Sequence, residues 1–202
     1  MRDAGTQTWP IHPRALAALP SEVWEHILGP APALSGSREM LNWERMPERG
    51  VLHDPPERWY PVTRAAYFAH RARWLQGQEM PWPRTEAILS AWAARVDMSA
   101  YAVNARGAQP AAALLLWLID DGRGQPVAYV PDLVWDPDVG IRSAGRYLLQ
   151  ELYLRHRHAL AVVDAVPASS PLNHVLMALG YRVYLRWVNG GRASEDAEWK
   201  PT

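Results

Sequence analysis

Between residues 62 and 96 the apolar side chains recur at helical spacing in two stretches. The first covers residues 62–76 and follows Pro61, a residue that the first turn of a helix tolerates. The second begins after a predicted N-cap at Thr85 and carries its apolar residues along one face. The pattern predicts two amphipathic helices.

The hydrophobic period then changes to that of β-strands. Three apolar segments follow one another at residues 100–104, 111–120 and 127–135, and the turn DGRGQP separates the last two. Consecutive strands joined by short turns pair in antiparallel fashion. These segments therefore predict an antiparallel sheet.

The C-terminal third alternates between helix and strand. A helix is predicted at residues 145–156, a buried strand at 159–166, a short helix capped by Ser170, and a last strand at 181–188. A strand, a glycine-bearing loop with a helix, and a further strand form a parallel crossover. The fold class is therefore α/β (α+β), with a mixed, mostly antiparallel central sheet flanked by helices.

The first sixty residues have a different character. Eight prolines interrupt residues 1–60, and a helix of about two turns is predicted after Ser21. The segment also carries four tryptophans, Trp9, Trp24, Trp43 and Trp59. Disordered tails are poor in aromatic residues, so we expect a Pro/Trp-rich arm that packs on its own domain or on a protein partner, the former being favoured. A domain at 61–190 and a polar tail at 191–202 follow.

Composition narrows the class of protein. Of the 202 residues, 49% are hydrophobic and 21% are charged, as in soluble globular proteins, and no apolar run approaches a membrane span. The chain has no cysteine, and its N-terminus lacks a secretory pattern, so a cytoplasmic location is expected. The 21 basic and 21 acidic residues balance, which argues against a polyanion-coating role.

Motifs for several reaction classes are missing from the sequence. It contains no GxSxG, Walker or HExxH motif, which leaves hydrolase, NTPase and zinc protease functions without support. His156 and His158 do not share a helical face, and Glu22, Glu25 and His26 supply only half of a carboxylate metal site. No metal site is expected.

The stretch LVWDPDVGIRSAGRYLL resembles the acyl-CoA loop of the GNAT superfamily of N-acetyltransferases. Aligned on Asp136-Pro137, it places Gly140, Ser143 and Gly145 at the loop's first position, middle glycine and final glycine, so one glycine is in place. In such a loop, backbone N–H groups and the helix dipole receive the pyrophosphate. The predicted cofactor-binding residues here are Gly140, Ile141, Arg142, Ser143, Ala144, Gly145 and Arg146. An ordinary strand-to-helix turn explains the same glycines.

A second stretch, VVDAVPASSPLNHVLMALGYRVY, is similar to the strand, loop, short helix and closing Gly-aromatic pair of the same family. The resemblance places Ser169 where the family often has an Asn that binds pantetheine. It places Leu176 where the family often has a Tyr that protonates the departing thiolate, and leucine cannot donate a proton. The resemblance covers residues 61–188.

The resemblance also implies a bulge that opens the sheet beside the fourth strand of the domain. Pro131 suits such a bulge because it lacks a backbone donor, although an edge position would also accommodate it. The opening would admit the pantetheine, and strand N–H groups at Leu133, Val134 and Trp135 would stabilise the oxyanion.

Four side chains are candidates for proton transfer. Asp132 and Tyr129 on the fourth strand are the candidate bases, with a solvated position as the alternative for Asp132. Asp164, an acid in an apolar run, either points into the cleft or pairs with an arginine such as Arg182. His174 could replace the missing proton donor or lie on the surface.

The resemblance implies an N-acyltransferase that moves an acyl group from acetyl-CoA or another acyl-CoA to an amine by direct attack in a ternary complex. The alternative is a catalytically silent module of the same fold whose arm binds a protein. An enzyme should present free loop N–H groups, whereas Trp or Arg side chains should fill the groove of a silent module. A weaker alternative is a nucleic-acid-modifying relative with a basic rim, and the neutral net charge counts against it. That rim would consist of Arg142, Arg146, Arg155 and Arg157.

Overall fold

The computed structural model of the chain describes residues 39–48, 58–76, 86–94, 96–105, 108–120, 126–188 and 191–194. The strands are β1 (Glu39–Arg45), β2 (Tyr60–Val62), β3 (Met98–Asn104), β4 (Pro110–Asp120), β5 (Pro126–Trp135), β6 (Leu160–Pro167), β7 (Arg182–Val188) and β8 (Gly191–Ser194). The helices are α1 (Arg64–Trp74), α2 (Glu86–Ala93), α3 (Arg146–His156) and α4 (Leu172–Ala178), and a π-helical turn, Ile141–Gly145, leads into α3.

The strands form one sheet in the order β2-β3-β4-β5-β6-β1-β7-β8. Every pair of neighbours is antiparallel except β5 and β6, which are parallel. Helices α1 and α2 cover one face of the sheet, and the π-helical turn, α3 and α4 cover the other. The predicted mixed, mostly antiparallel sheet flanked by helices is confirmed. No helix within the described ranges has the length and apolar character needed to cross a membrane.

Helix α1 begins two residues later than predicted. Pro61 lies in β2, opposite Tyr101 of β3, and so belongs to the sheet rather than to the first helical turn. Thr63 is the N-cap, and its Oγ1 accepts a hydrogen bond from the Ala66 N–H at 3.1 Å. Three predicted features lie outside the described residues: the helix after Ser21, the N-cap Thr85 and the end of the polar tail.

Strand β1 lies in a part of the chain where the sequence predicted no strand. It pairs antiparallel with both β6 and β7, and all of its residues except Glu39 are buried. Trp43 is 2% exposed, and its Nε1–H donates to Oδ1 of the fully buried Asn173 at 3.0 Å. This segment is therefore an internal strand of the sheet.

Polar residues explain why the hydrophobic pattern does not reveal β1. Asn42 is fully buried and donates to the Tyr184 hydroxyl at 3.2 Å. The buried Glu44 accepts two hydrogen bonds from Arg182, at 2.9 and 3.1 Å. Because remote side chains satisfy these polar groups, an internal strand has neither an apolar run nor a regular alternation.

A bulge in β5 opens the sheet at the predicted residue. The register of β4 and β5 shifts by one, so that Leu116 of β4 lies opposite both Val130 and Pro131. Pairing of β5 with β6 ends at Val130, opposite Val163. Residues 131–135 of β5 therefore keep β4 as their neighbour but diverge from β6. We call the space between residues 131–135 and the end of β6 the β5–β6 gap.

Candidate active site

Two backbone N–H groups of β5 point toward the β5–β6 gap. The Asp136 N–H donates to the Ala111 carbonyl at 2.8 Å, in continuation of the register of β5 on β4. Bonded and non-bonded residue pairs alternate along an antiparallel ladder. The N–H of Val134 therefore also points toward β4, whereas the N–H groups of Leu133 and Trp135 point toward the gap. Of the three predicted donors, these two have the required direction.

The loop after β5 reverses the chain with its own hydrogen bonds. The Asp136 carbonyl accepts from the N–H groups of Val139 and Gly140, at 3.2 and 2.9 Å, and its carboxylate accepts from the Asp138 N–H at 3.0 Å. Gly140 has φ of 76° and ψ of 153°, a conformation essentially reserved for glycine. The loop thus ends at Gly140, and the π-helical turn begins at the next residue.

The first N–H groups of the π-helical turn have no backbone acceptor among the described residues. The N–H groups of Ser143 and Ala144 donate to the Gly140 carbonyl, at 3.3 and 3.2 Å. Within the described part of the chain, the N–H groups of Ile141 and Arg142 donate to no backbone carbonyl. Free N–H groups at a helix start, together with the helix dipole, bind anions such as phosphates. A loop with this arrangement fits the predicted pyrophosphate site.

Two arginines add positive charge at this site. Arg142 and Arg146 are exposed, as is Ser143 between them, and no ion pair engages either guanidinium within the described ranges. Asp138, the acid expected to oppose an anion, is also exposed. Guanidinium groups bind phosphate by charge-assisted hydrogen bonds, so these two side chains reinforce the backbone donors.

The packing of Ile141 explains why a glycine stands at position 145. Gly145 is buried with right-handed dihedral angles, φ of −67° and ψ of −34°, and an added Cβ would collide with the side chain of Ile141. Ile141 is itself 3% exposed. Packing against Ile141 beneath the loop therefore favours glycine at this position.

Asp132 lies directly after the bulge and is 2% exposed. Its Oδ2 accepts hydrogen bonds from the Tyr67 hydroxyl at 2.6 Å and from Arg71 Nε at 2.8 Å. Burial, followed by the proximity of the Asp132 charge, raises the pKa of Tyr67 well above its usual value, so Tyr67 is the proton donor in this bond. The second oxygen, Oδ1, is buried without a hydrogen-bond partner among the described residues. Asp132 is thus an ion-paired carboxylate with one free acceptor.

Tyr129 lies before the bulge, in the core between the sheet and α2. Its side chain is fully buried, with ring centroids 5.6 Å from Trp92 and 6.2 Å from Trp117. This packing accounts for an aromatic residue at position 129 without a role in proton transfer.

The comparison with solved structures shows the fold. A protein assigned to the GNAT acetyltransferase family from Novosphingobium aromaticivorans matches with a TM-score of 0.52 at 14% sequence identity, over 79% of this chain and 66% of that one. The chain has the GNAT fold.

N-myristoyltransferase from Saccharomyces cerevisiae, solved with bound myristoyl-CoA and inhibitors, matches with a TM-score of 0.43 at 10% identity, over 84% of this chain and 52% of that one. The chain thus spans about two thirds of the first protein and about half of the yeast enzyme. No protein-family model and no curated protein sequence matches it.

Four further residues singled out in the sequence lie in or near β6 and α4. Ser169 is exposed in the loop between β6 and α4, and His174 is exposed on α4. Leu176 is fully buried, so no proton donor stands at the position that the resemblance gave to tyrosine. Asp164 lies in β6, which borders the gap, but its side chain is outside the described part. The arginine suggested as its partner, Arg182, binds Glu44.

Asn173 is an important residue that the sequence analysis did not identify. Its Nδ2 donates to the carbonyls of Pro167 and Ala168, at 2.8 and 3.0 Å, while its Oδ1 accepts from Trp43. It therefore fixes the loop that carries Ser169. No short-range pattern marks this role, because Trp43 is 130 residues away in the sequence.

Tyr67 and Arg71 were also missed, although the sequence carries a signal for them. Both side chains face the sheet from α1, as does Trp74, and Arg71 is 3% exposed. A charged residue on the apolar face of an amphipathic helix needs a buried partner, and Asp132 is that partner. In the described ranges no group of three or more His, Cys, Asp or Glu residues could hold a metal ion.

Replacing Gly140 with alanine is expected to lower the free energy of unfolding by about 1–3 kcal/mol. Nothing lies within 4 Å of the added Cβ, so the cost comes from the backbone conformation alone. Urea denaturation measures it. Gly180→Ala is the matched control, because Gly180 also has a positive φ, 81°, and open space. Only the Gly140 variant should also weaken acyl-CoA binding, and unchanged binding would argue against a phosphate site at this loop.

Proposed function

We propose that the protein is an acyl-CoA-dependent N-acyltransferase. The observation that carries the proposal is the opening of the sheet at the Pro131 bulge, directly beside a helix start with free N–H groups. The β5–β6 gap would then bind the pantetheine arm, and the adjacent helix start would bind the pyrophosphate. The free N–H groups support an enzyme rather than a silent module with a filled groove.

The residues of the loop would hold the pyrophosphate. The N–H groups of Ile141 and Arg142 donate to it, and the side chains of Arg142 and Arg146 neutralise its charge. Ser169, across the gap on the loop before α4, would bind the pantetheine arm. Leu133 and Trp135 would bind the same arm or the acyl oxygen with their gap-facing N–H groups.

The reaction transfers the acyl group of acetyl-CoA or a longer acyl-CoA to an amine within a ternary complex. The amine nitrogen attacks the thioester carbonyl carbon, the C–S bond breaks, the nitrogen loses a proton and the thiolate gains one. Asp132 Oδ1, the free acceptor beside the bulge, would take the proton from the amine. His174 on α4 and Asp164 on β6 are the remaining candidates for returning a proton to the thiolate. Tyr129 has no role in this scheme.

A silent module of the same fold is the second candidate. Leu176 supplies no proton, and the ion pair with Arg71 holds Asp132 in a structural role. In this case residues 1–38, which lie outside the described part of the chain, would bind a protein partner. Both candidates fit the cytoplasmic location predicted from the sequence.

The arginines proposed as a nucleic-acid-binding rim lie at the two ends of α3. Arg142 and Arg146 precede or begin α3, whereas Arg155 and Arg157 lie at its other end. Arg155 follows Arg146 by nine positions on the helix, a rise of roughly 14 Å. Arg155 also lies over the Trp59 ring, 5.7 Å from its centroid. Together with the neutral net charge, this engagement of Arg155 leaves the nucleic-acid alternative the weakest of the three.

Thermal unfolding with acetyl-CoA, octanoyl-CoA or free CoA tests the proposed site. At about 100 times the dissociation constant, ligand should stabilise the fold by about 2.7 kcal/mol, which raises Tm by about 5–10 °C. Arg142→Gln/Arg146→Gln should lose most of this shift, because both changes remove phosphate-binding charge. Arg73→Gln, an exposed arginine on α1, is the matched control and should retain the shift.

Release of free thiol then separates the two candidates. An enzyme should release CoA from acyl-CoA faster when an acceptor amine from a panel is added. A thermal shift without thiol release for any amine would favour the silent module. The absence of a shift at millimolar acyl-CoA would refute both the cofactor site and the enzyme.

A further inference from the structure

A concave site adjoins the candidate acyl-CoA loop and is lined in part by its residues Val139, Ser143 and Ala144. It is a pocket of about 600 Å³, a volume typical of small-molecule sites. Its walls come from the end of β3, the loop after β5, and the start of α3. None of its lining residues in the described part of the chain belongs to residues 131–135 or to β6. It is therefore distinct from the β5–β6 gap.

One side of the pocket is apolar. Val103 and Ala144 are buried at its base, and Ala105 and Val139 lie beside them, half-buried. The Tyr147 ring, 47% exposed, adds a flat aromatic surface at the side. Such walls favour an apolar ligand with a flat face.

Three of the described lining residues, Arg58, Asn104 and Ser143, can donate hydrogen bonds into the pocket. Asn104 Oδ1 accepts from the Tyr60 hydroxyl at 2.6 Å, which orients the amide and leaves its Nδ2 donors for a ligand. The Arg58 guanidinium carbon lies 5.8 Å from the Tyr147 ring centroid, and the Arg58 side chain is 61% exposed. Ser143 contributes a hydroxyl that can donate. A ligand that complements these groups presents acceptors, and a carboxylate does so best.

Glu151 positions the guanidinium. Its side chain is 3% exposed on α3, and its Oε1 lies 3.9 Å from Arg58 Nε. This contact engages the inner nitrogen of Arg58, which leaves the two terminal nitrogens for another partner. Within the described part of the chain, Arg58 makes no hydrogen bond, so those terminal donors are available.

We propose that this pocket binds a flat, apolar carboxylate, such as an aromatic acid. Its ring would lie against Tyr147 and the apolar base, and its carboxylate would accept from Arg58 and Asn104. The site adjoins the acyl-CoA loop through Ser143 and Ala144, but it does not depend on the proposed function, because it uses neither the gap nor the free N–H groups.

Isothermal titration calorimetry with 2-naphthoate tests the proposal, with 2-naphthylmethanol as the uncharged control. The wild-type chain should bind the acid at least about tenfold more tightly than the alcohol, because a hydrogen bond to a charged group is lost. Arg58→Gln should weaken binding of the acid by about tenfold or more. Arg73→Gln is the matched control, because that guanidinium also lies over an aromatic ring, 5.5 Å from Trp74, and should leave binding unchanged.

Ala105→Trp provides a variant that fills the pocket without changing its charge. It should abolish binding of the acid while the thermal shift given by CoA persists. Absence of saturable binding to the wild-type chain overturns the proposal, and so does binding that survives both Arg58→Gln and Ala105→Trp. If Arg58→Gln also removes the CoA shift, the pocket belongs to the acyl-CoA site and the separate site is refuted.

Discussion

Asp132→Ala is expected to lower the free energy of unfolding by about 3–5 kcal/mol. The substitution removes the carboxylate that binds Arg71 Nε at 2.8 Å, with side chains only 4% and 1% exposed. The Arg71 charge would then be buried without its partner, and the Tyr67 hydroxyl would lose its acceptor. Urea denaturation of the two proteins measures the difference.

A paired substitution distinguishes loss of the ion pair from loss of packing. Asp132→Leu/Arg71→Met replaces both charged side chains with apolar ones and should recover part of the stability that Asp132→Ala loses. Tyr67→Phe, which removes one hydrogen bond, should cost about 1–3 kcal/mol. A loss below 1 kcal/mol for Asp132→Ala would contradict the assignment of the ion pair as a structural element.

Trp43→Ala is expected to cost about 3–5 kcal/mol, the usual effect of removing a large aromatic side chain from a core. The Trp43 side chain packs in the core that includes α3 and α4, and it donates to Asn173. Its loss would leave a cavity and an unpaired amide oxygen. Thermal and urea unfolding should both report the change.

Trp43→Phe separates these two contributions. It keeps most of the apolar volume and removes the donor, so it should cost about 1–3 kcal/mol. Met46→Ala is the control outside the core, because Met46 is 52% exposed just after β1, and it should be nearly neutral. If Trp43→Ala were as mild as Met46→Ala, β1 would not be an internal strand.

Local patterns predicted most of the C-terminal fold. The strands β3 to β7 have apolar segments bounded by turn residues, and helix α3 carries Leu148, Leu149 and Leu152 on its buried face. Pro131 predicted the bulge because its missing N–H is a property of the residue itself. These features depend on neighbours in the sequence, which a pattern can reveal.

The missed features depend on distant partners. The sequence of β1, EMLNWER, contains four polar or charged residues, and side chains of β7 bind three of them. Similarly, Asp132 carries no sign of its partner Arg71, 61 residues earlier. The position of the candidate acyl-CoA loop could be predicted from the sequence. The ion pair of Asp132 and the burial of Tyr129 could not, because they depend on how the helices pack on the sheet.

The location of β1 has a consequence for the order of folding. Its two neighbours, β6 and β7, are synthesised more than 110 residues after Arg45. At about 5–20 residues per second, the segment would wait roughly 6–24 s after leaving the ribosome before either neighbour exists. Contacts so distant in sequence slow folding, because a large loop must close first. Biogenesis of this chain therefore includes an interval in which a strand-forming segment has no pairing partner, the condition under which nascent chains engage chaperones.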